Sequence, residues 1–282
     1  MIFQTLDDKK ECVAVYYEEK LWKGTVPAGA LATWSYAAYL ENPDIKYASL
    51  YCLGKTLEDV CPPEHQLRYQ AIANKLKAFL TSFREAKVDL TENCFFDLVP
   101  ERFLLEFCEI KNKITEHVLS NYEKPENYSF LLSLTKMLHD MRYQKLNVDL
   151  ENIKEDMDNY KTRQFFKKAQ TIEPFISYDI SGTKTGRLTT KKDSFPILTL
   201  DKSFRKILKP KNDYFVELDF NAAELRTLLA LAGEQQPNGD IHDWNAKNVY
   251  KGLVTREEAK KRIFAWLYNP SSKDFLSSCA YK

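Results

Sequence analysis

The chain has 282 residues, 41 Lys+Arg against 40 Asp+Glu, and only 8 Gly. A net charge of +1 and a hydrophobic share of 44% exclude a basic nucleic-acid coat, an acidic tail protein and wholesale disorder. So little glycine argues against collagen, linker arrays and turn-dense all-β folds, and no apolar run reaches the roughly 18 residues of a membrane span.

The first 60 residues are rich in β-formers and aromatics. Glu11–Tyr17 and Leu21–Val26, separated by Glu18–Lys20, predict a hairpin, and Ile45–Leu53 a further strand. From Pro63 the apolar period changes. Ile72, Leu76, Phe79 and Phe83 predict one helix, Phe103, Phe107, Ile110 and Ile114 a second, and Leu131, Leu134, Leu138 and Met141 a third. After a Leu146–Asp149 connection, Asp149 is placed to cap a fourth helix carrying Ile153, Met157 and Tyr160, closing a helical hairpin. Strands are then expected at Phe175–Ile180, Pro196–Leu200 and Tyr214–Asp219, with helices at Asn221–Ala232 and Arg256–Tyr268. The fold class is therefore α+β. The six cysteines form no C-x-x-C pair, and we expect reduced thiols, mostly in the core, in a cytoplasmic protein without a leader segment.

Charge is uneven. Residues 154–212 hold 14 Lys+Arg and 7 Asp+Glu, a surplus of seven that suits a phosphate backbone or, more simply, a solvated face. Three segments carry more specific chemistry. In the first, an apolar run delivers Asp219 to a junction with a helix bearing Glu224 and Arg226. The Asp219 carboxylate and the Phe220 carbonyl are two oxygen donors suited to Mg²⁺; the plainer reading is a helix cap. In the second, Arg256, Lys260, Phe264 and Tyr268 are spaced four apart behind a Thr255–Glu258 capping box. That order lays two cations and then two aromatics along one helix face, fit for a triphosphate and its base; the plainer reading buries the aromatics in a core. In the third, Thr185-Gly186-Arg187 leads through Thr189 and Thr190 to Lys191 and Lys192, a hydroxyl- and cation-rich loop suited to backbone phosphates.

Taken in order, these segments resemble the family A DNA polymerases, the group of bacterial DNA polymerase I and many phage replicative enzymes. Thr185–Thr190 is similar to the family's T-G-R-L-S-S loop. Asp219–Arg226 is similar to its motif A, D-Y-S-Q-I-E-L-R, with identity at Asp219, Glu224, Leu225 and Arg226. Asp240-Ile241-His242 matches the D-I-H that follows, and Arg256, Lys260, Phe264 and Tyr268 match motif B, R-x3-K-x3-F-x3-Y, at each named position. The Asn147-Val148-Asp149 turn is similar to the thumb. The resemblance spans roughly residues 126–270.

It implies a DNA-directed DNA polymerase working on primer–template DNA and dNTPs with two Mg²⁺ ions. Its parts are a β-rich module over residues 1–100 (a reduced, inactive exonuclease-like fold), a helical thumb over 101–170, a partial palm over 171–235 and partial fingers over 236–282. The implied roles are Asp219 and Phe220 at the metal, Glu224 as the gate against a ribose 2′-OH, and Arg256, Lys260 and His242 on the triphosphate. Phe264 stacks on the incoming base, Tyr268 lies near the template base, and Lys260 is also the general acid. Thr185, Arg187, Lys191, Lys192 and Arg226 contact DNA. The sequence departs from the family at Phe220-Asn221-Ala222-Ala223 and at Asn269, shows no Q-N-I-P segment around Ser194–Leu200, and has no His-Asp-Glu of motif C. With one carboxylate the chain is expected to be inactive alone, to present an unpaired edge and a bared apolar surface, and to need a second polypeptide carrying motif C. A split gene, a truncation and a relic that only binds primer–template or nucleotide all fit.

Overall fold

A computed structural model describes all residues except Lys9, Lys10, Thr91, Lys184, Asp193, Pro270 and Lys282. The chain divides into two units, Met1–Lys211 and Asn212–Lys282, and mixes helices with small sheets, in keeping with an α+β class.

The first unit opens with β1 (Gln4–Asp8), β2 (Glu11–Tyr17) and β3 (Lys20–Trp22), an antiparallel sheet in that order. The predicted hairpin is present. Its turn places Glu18 at φ 50° and Glu19 at φ 62°, the left-handed pair that a two-residue connection between twisted strands requires. β4 (Ala32–Thr33) and β5 (Lys46–Tyr47) pair in parallel, and a parallel bridge between Ile2 and Ala32 joins them to β1. The strand expected over Ile45–Leu53 ends after Tyr47, where the short helix α1 (Ala48–Tyr51) begins.

Alternation along β2 covers both sheet faces. Ala14 and Tyr16 join Leu6, Ile72, Phe103 and Ile114 in one core, while Val15 and Tyr17 join Phe3, Tyr47, Leu50 and Tyr128 in another. The first core is built on α2 (Pro63–Glu85) and α3 (Glu101–Asn121), both starting at a proline-led first turn. Arg68 on α2 grips Glu109 on α3 through both guanidinium nitrogens, which holds that carboxyl down at about 2. The second core takes α4 (Tyr128–Arg142), and Tyr47 N donates to the Tyr128 hydroxyl at 3.0 Å. The packing of the N-terminal sheet thus runs well past residue 100.

Asp149 does cap the next element, accepting from Glu151 N, but that element is a 3-10 helix, Leu150–Asp156. The α-helix α5 (Tyr160–Thr171) starts afresh from Asn159, so the expected long helical hairpin is replaced by two short pieces. The competing interaction is tertiary. Val148 forms a bridge to Leu208, and Asp149 N and Asn147 O bond to Ile207 O and Lys209 N. Ile153, Ile176, Phe195, Leu200 and Ile207 form the core beneath. Of the expected Phe175–Ile180 strand only β6 (Tyr178–Asp179) forms, paired antiparallel with β7 (Thr189–Thr190). Pro196–Leu200 is a 3-10 turn at Ile197–Thr199, because Pro196 has no N–H to give a ladder.

The second unit begins with Asn212–Phe220, irregular and exposed throughout. The strand expected at Tyr214–Asp219 does not form: among the described residues no segment pairs with it. Val216 is 83% exposed and Leu218 91%. Then come α6 (Ala223–Leu231), α7 (Ile241–Asn248), α8 (Arg256–Leu267) and α9 (Phe275–Tyr281). α6 starts later than its pattern suggests, since Ala222 sits at φ 54° and Asn221 spends its side chain elsewhere. The Thr255–Glu258 capping box on α8 is formed in both directions. Leu225, Ile241, Tyr250, Ala259 and Ile263 make the core.

Of the six thiols, Cys52 and Cys108 are buried, Cys12, Cys61 and Cys94 half-buried and Cys279 exposed. The core expectation therefore holds for two of them. Burial pushes the Cys108 thiol up to about 12.

Candidate functional site

On α8 the capping box fixes the helix start and Ala259 and Ile263 turn into the core. The stripe one residue away therefore faces outward. Arg256 and Phe264 are half-buried and Lys260 and Tyr268 exposed, so the aromatics are not core residues. The rings of Phe264 and Tyr268 stack at 6.1 Å with an interplanar angle of 13°. His242 on α7 lies 5.6 Å from Phe264. It is 2% exposed, and its Nδ1 has no hydrogen-bond partner. Burial holds its imidazole below the ordinary value, against the opposing pull of Asp240. The structure thus brings His242, Arg256, Lys260, Phe264 and Tyr268 to one face.

Asp240 organises this face. One oxygen caps α7, accepting from His242 N at 2.8 Å and Asp243 N at 3.0 Å. The other accepts from Arg256 Nη2 at 2.6 Å, Arg256 Nε at 3.2 Å and Asn221 Nδ2 at 2.7 Å. The Arg256 guanidinium beside it holds the Asp240 carboxyl far below the carboxylate range. Arg256 also touches Glu257 at 2.5 Å, so it carries two carboxylates in the absence of any ligand. In the sequence Asp240 belongs to the D-I-H match, and its place ahead of Ile241 marks it as a helix N-cap.

Arg226 is committed internally. Its Nε donates to Asn221 O at 2.8 Å, Nη1 to Gln236 Oε1 and Pro237 O at 3.3 and 3.2 Å, and Nη2 to Asn221 Oδ1 and Gly239 O at 3.3 and 2.5 Å. All five N–H donors meet acceptors, an arrangement that ties the 236–239 turn to α6. Glu224 lies in the first turn of α6, and Asp219 and Phe220 are exposed in the irregular segment just before it.

Among the described residues no group of three or more His, Cys, Asp or Glu side chains is placed to hold a metal ion. Two Mg²⁺ ions about 3.5–4 Å apart need carboxylates on both, and Asp219 with the Phe220 carbonyl supplies one side at most. The residues present therefore do not fit a two-metal centre by themselves.

Thr185, Arg187, Lys191 and Lys192 belong to the first unit. The β6–β7 hairpin displays Thr185, Gly186 and Arg187 at an exposed tip. Gly186 adopts φ 73°, and Thr183 Oγ1 donates to Arg187 O at 2.9 Å. A side chain at Gly182 would meet Thr189 Oγ1 at 1.8 Å, so the hairpin closes only around glycine. Part of the local surplus of cations is neutralised nearby: Lys154, Lys206 and Lys209 pair with Glu151, Asp156 and Asp149.

No family model matches the chain, and neither the curated proteins nor the solved structures contain a significant match to it. Among the described residues no helix is long and apolar enough to cross a membrane.

Proposed function

We propose that these residues form the nucleotide-binding part of a family A-like DNA-directed DNA polymerase whose second catalytic carboxylate is supplied from outside them. The observation that carries this reading is the outward stripe on α8, where Arg256, Lys260, Phe264 and Tyr268 share one face with His242. Such a face matches a dNTP in length and chemistry: cations for the phosphates and a stacked aromatic pair for the base. Lys260, exposed and in no ion pair among the described residues, is the group available to a phosphate at once. Arg256 engages after it leaves Asp240. Glu224 then stands as the gate against a 2′-OH, and Asp219 as the single carboxylate of this half.

The second reading, a binding module without catalysis, is favoured by that same lone carboxylate. One experiment separates the two. The chain is titrated with a fluorescent dNTP and assayed for primer extension, alone and with a polypeptide bearing an acidic strand of the motif C type. Binding with extension only in the mixture supports the polymerase half; binding without extension in either supports a nucleotide-binding module; no binding defeats the nucleotide reading of α8 in both.

A further inference from the structure

A second surface, in the first unit and separate from α8, has the make-up of a single-strand nucleic-acid track. A cavity of about 380 Å³ is lined by Arg142 and His139 of α4, by Lys191 and Ser177 beside the β6–β7 hairpin, and by the hydroxyls of Ser35 and Thr135. Cations thus stand on two walls that come from residues some fifty apart in sequence. Backbone fixes those walls. Lys191 N donates to Ser177 O at 2.9 Å. At Gly54, φ is +76° and a Cβ would fall 1.9 Å from Ser181 Oγ, so the wall carrying Ser181 closes against bare backbone.

Aromatics alternate with these cations. His139 lies 5.3 Å from Tyr36, edge-on, and 5.2 Å from Tyr143. Lys136 sits 6.0 Å over the Tyr36 ring and Arg142 5.6 Å over Tyr143. Lys136, His139 and Arg142 follow one another at three-residue steps along one side of α4, and Tyr143 is the residue that caps its C-terminal end. Among the described residues Lys136, Arg142 and Lys191 are in no ion pair, and Lys136 and Arg142 instead lie against aromatic rings. The one carboxylate in the described lining, Asp179, accepts from Ser181 N at 2.9 Å.

A neighbouring cavity of about 500 Å³ shares Ser35, Tyr36, His139 and Arg142 and adds Tyr143 together with Asp7 and Asp8. Those carboxylates repel phosphate. A strand crossing both cavities would keep its phosphates near Arg142 and Lys191 and leave its bases to Tyr36 and Tyr143. A duplex could not do this, because its bases are not free to stack on side chains.

We propose that this cleft binds one unpaired nucleic-acid strand, with a phosphodiester held by Arg142 and Lys191 and a base stacked at Tyr143. The site is independent of the nucleotide stripe on α8 and tested apart from it. Anisotropy of fluorescein-labelled (dT)12 is measured with the full chain and with Arg142→Gln, Lys191→Gln and Tyr143→Ala. Lys77→Gln, an exposed position on α2, is the charge-matched control, and melting temperature is recorded for every variant. The expected result is weaker binding by Arg142→Gln and Lys191→Gln, each with a salt slope shallower by about one. Tyr143→Ala should lose affinity by roughly tenfold, and Lys77→Gln should bind as the parent does. All should melt with the parent. Labelled (rU)12 tells whether the sugar matters. The proposal is overturned if Arg142→Gln behaves like Lys77→Gln, if blunt duplex binds with the same sensitivity to these variants, or if inorganic phosphate displaces the strand at equal phosphate concentration, which would make this a plain anion site.

Discussion

Asp240 and Arg256 are joined through a single carboxylate oxygen, which accepts from both Nη2 at 2.6 Å and Nε at 3.2 Å while its partner oxygen caps α7. One side chain thus fixes the start of α7, the first residue of α8 and, through Asn221, the approach to α6. Asp240→Ala should lower the stability of the second unit by about 1–3 kcal/mol, the loss of an N-cap and of a partly exposed charged hydrogen bond. Asp240→Asn should recover part of the cap. Hydrogen exchange of α7 and α8 amides measures both; unchanged protection in the alanine variant would remove Asp240 from this role.

The same region should be acid-sensitive in two stages. His242 is held below its ordinary value by burial, so the unfolded chain takes up a proton near 6.5 that the folded one refuses, and stability falls as pH drops below that point. Asp240 is depressed by Arg256; its contribution is complete above about 4 and is lost as pH falls further toward its folded value. Denaturant melts between pH 8 and pH 3 should show both losses, and His242→Gln should abolish the first alone.

Arg226→Ala should cost about 2 kcal/mol of stability, since it strips partners from Asn221 O, Pro237 O and Gly239 O together. Its effect on primer–template affinity should follow the loss of fold and not exceed it. A folded variant with selectively weakened DNA binding would restore this residue to the DNA interface.

Much of the fold and stripe was legible in the sequence because local rules coincide with tertiary ones there. The hairpin turn at Glu18–Glu19, the periodic helices α2 to α4 and the α8 capping box are each decided within a few residues. The failures occur where distant partners decide. Asn147–Asp149 pairs with Ile207–Lys209 and shortens the helix after it. Tyr214–Asp219 has a strand-like composition, but among the described residues no segment pairs with it, and its backbone stays irregular. The position of Arg256 is readable from spacing, whereas its carboxylate partner sixteen residues away is not.

Thiol chemistry offers a check on the burial pattern. Cys279 is exposed, while Cys52 and Cys108 are buried and burial raises both thiols. A disulfide reagent at pH 8 should modify Cys279 first and leave Cys52 and Cys108 untouched until the chain unfolds. Mass spectrometry of the early product identifies the site, and early loss of Cys108 would contradict the packing of α3.

The central claim is that the α8 stripe binds a nucleotide, and the most direct measurement is fluorescent-dNTP affinity together with melting temperature for Lys260→Ala and Phe264→Ala. Both side chains lie outside the core. The account predicts that each variant melts with the parent and binds dNTP more weakly, Phe264→Ala by about 1–3 kcal/mol of lost stacking. Unchanged dNTP affinity in both variants, with a lowered melting temperature for Phe264→Ala, would contradict it.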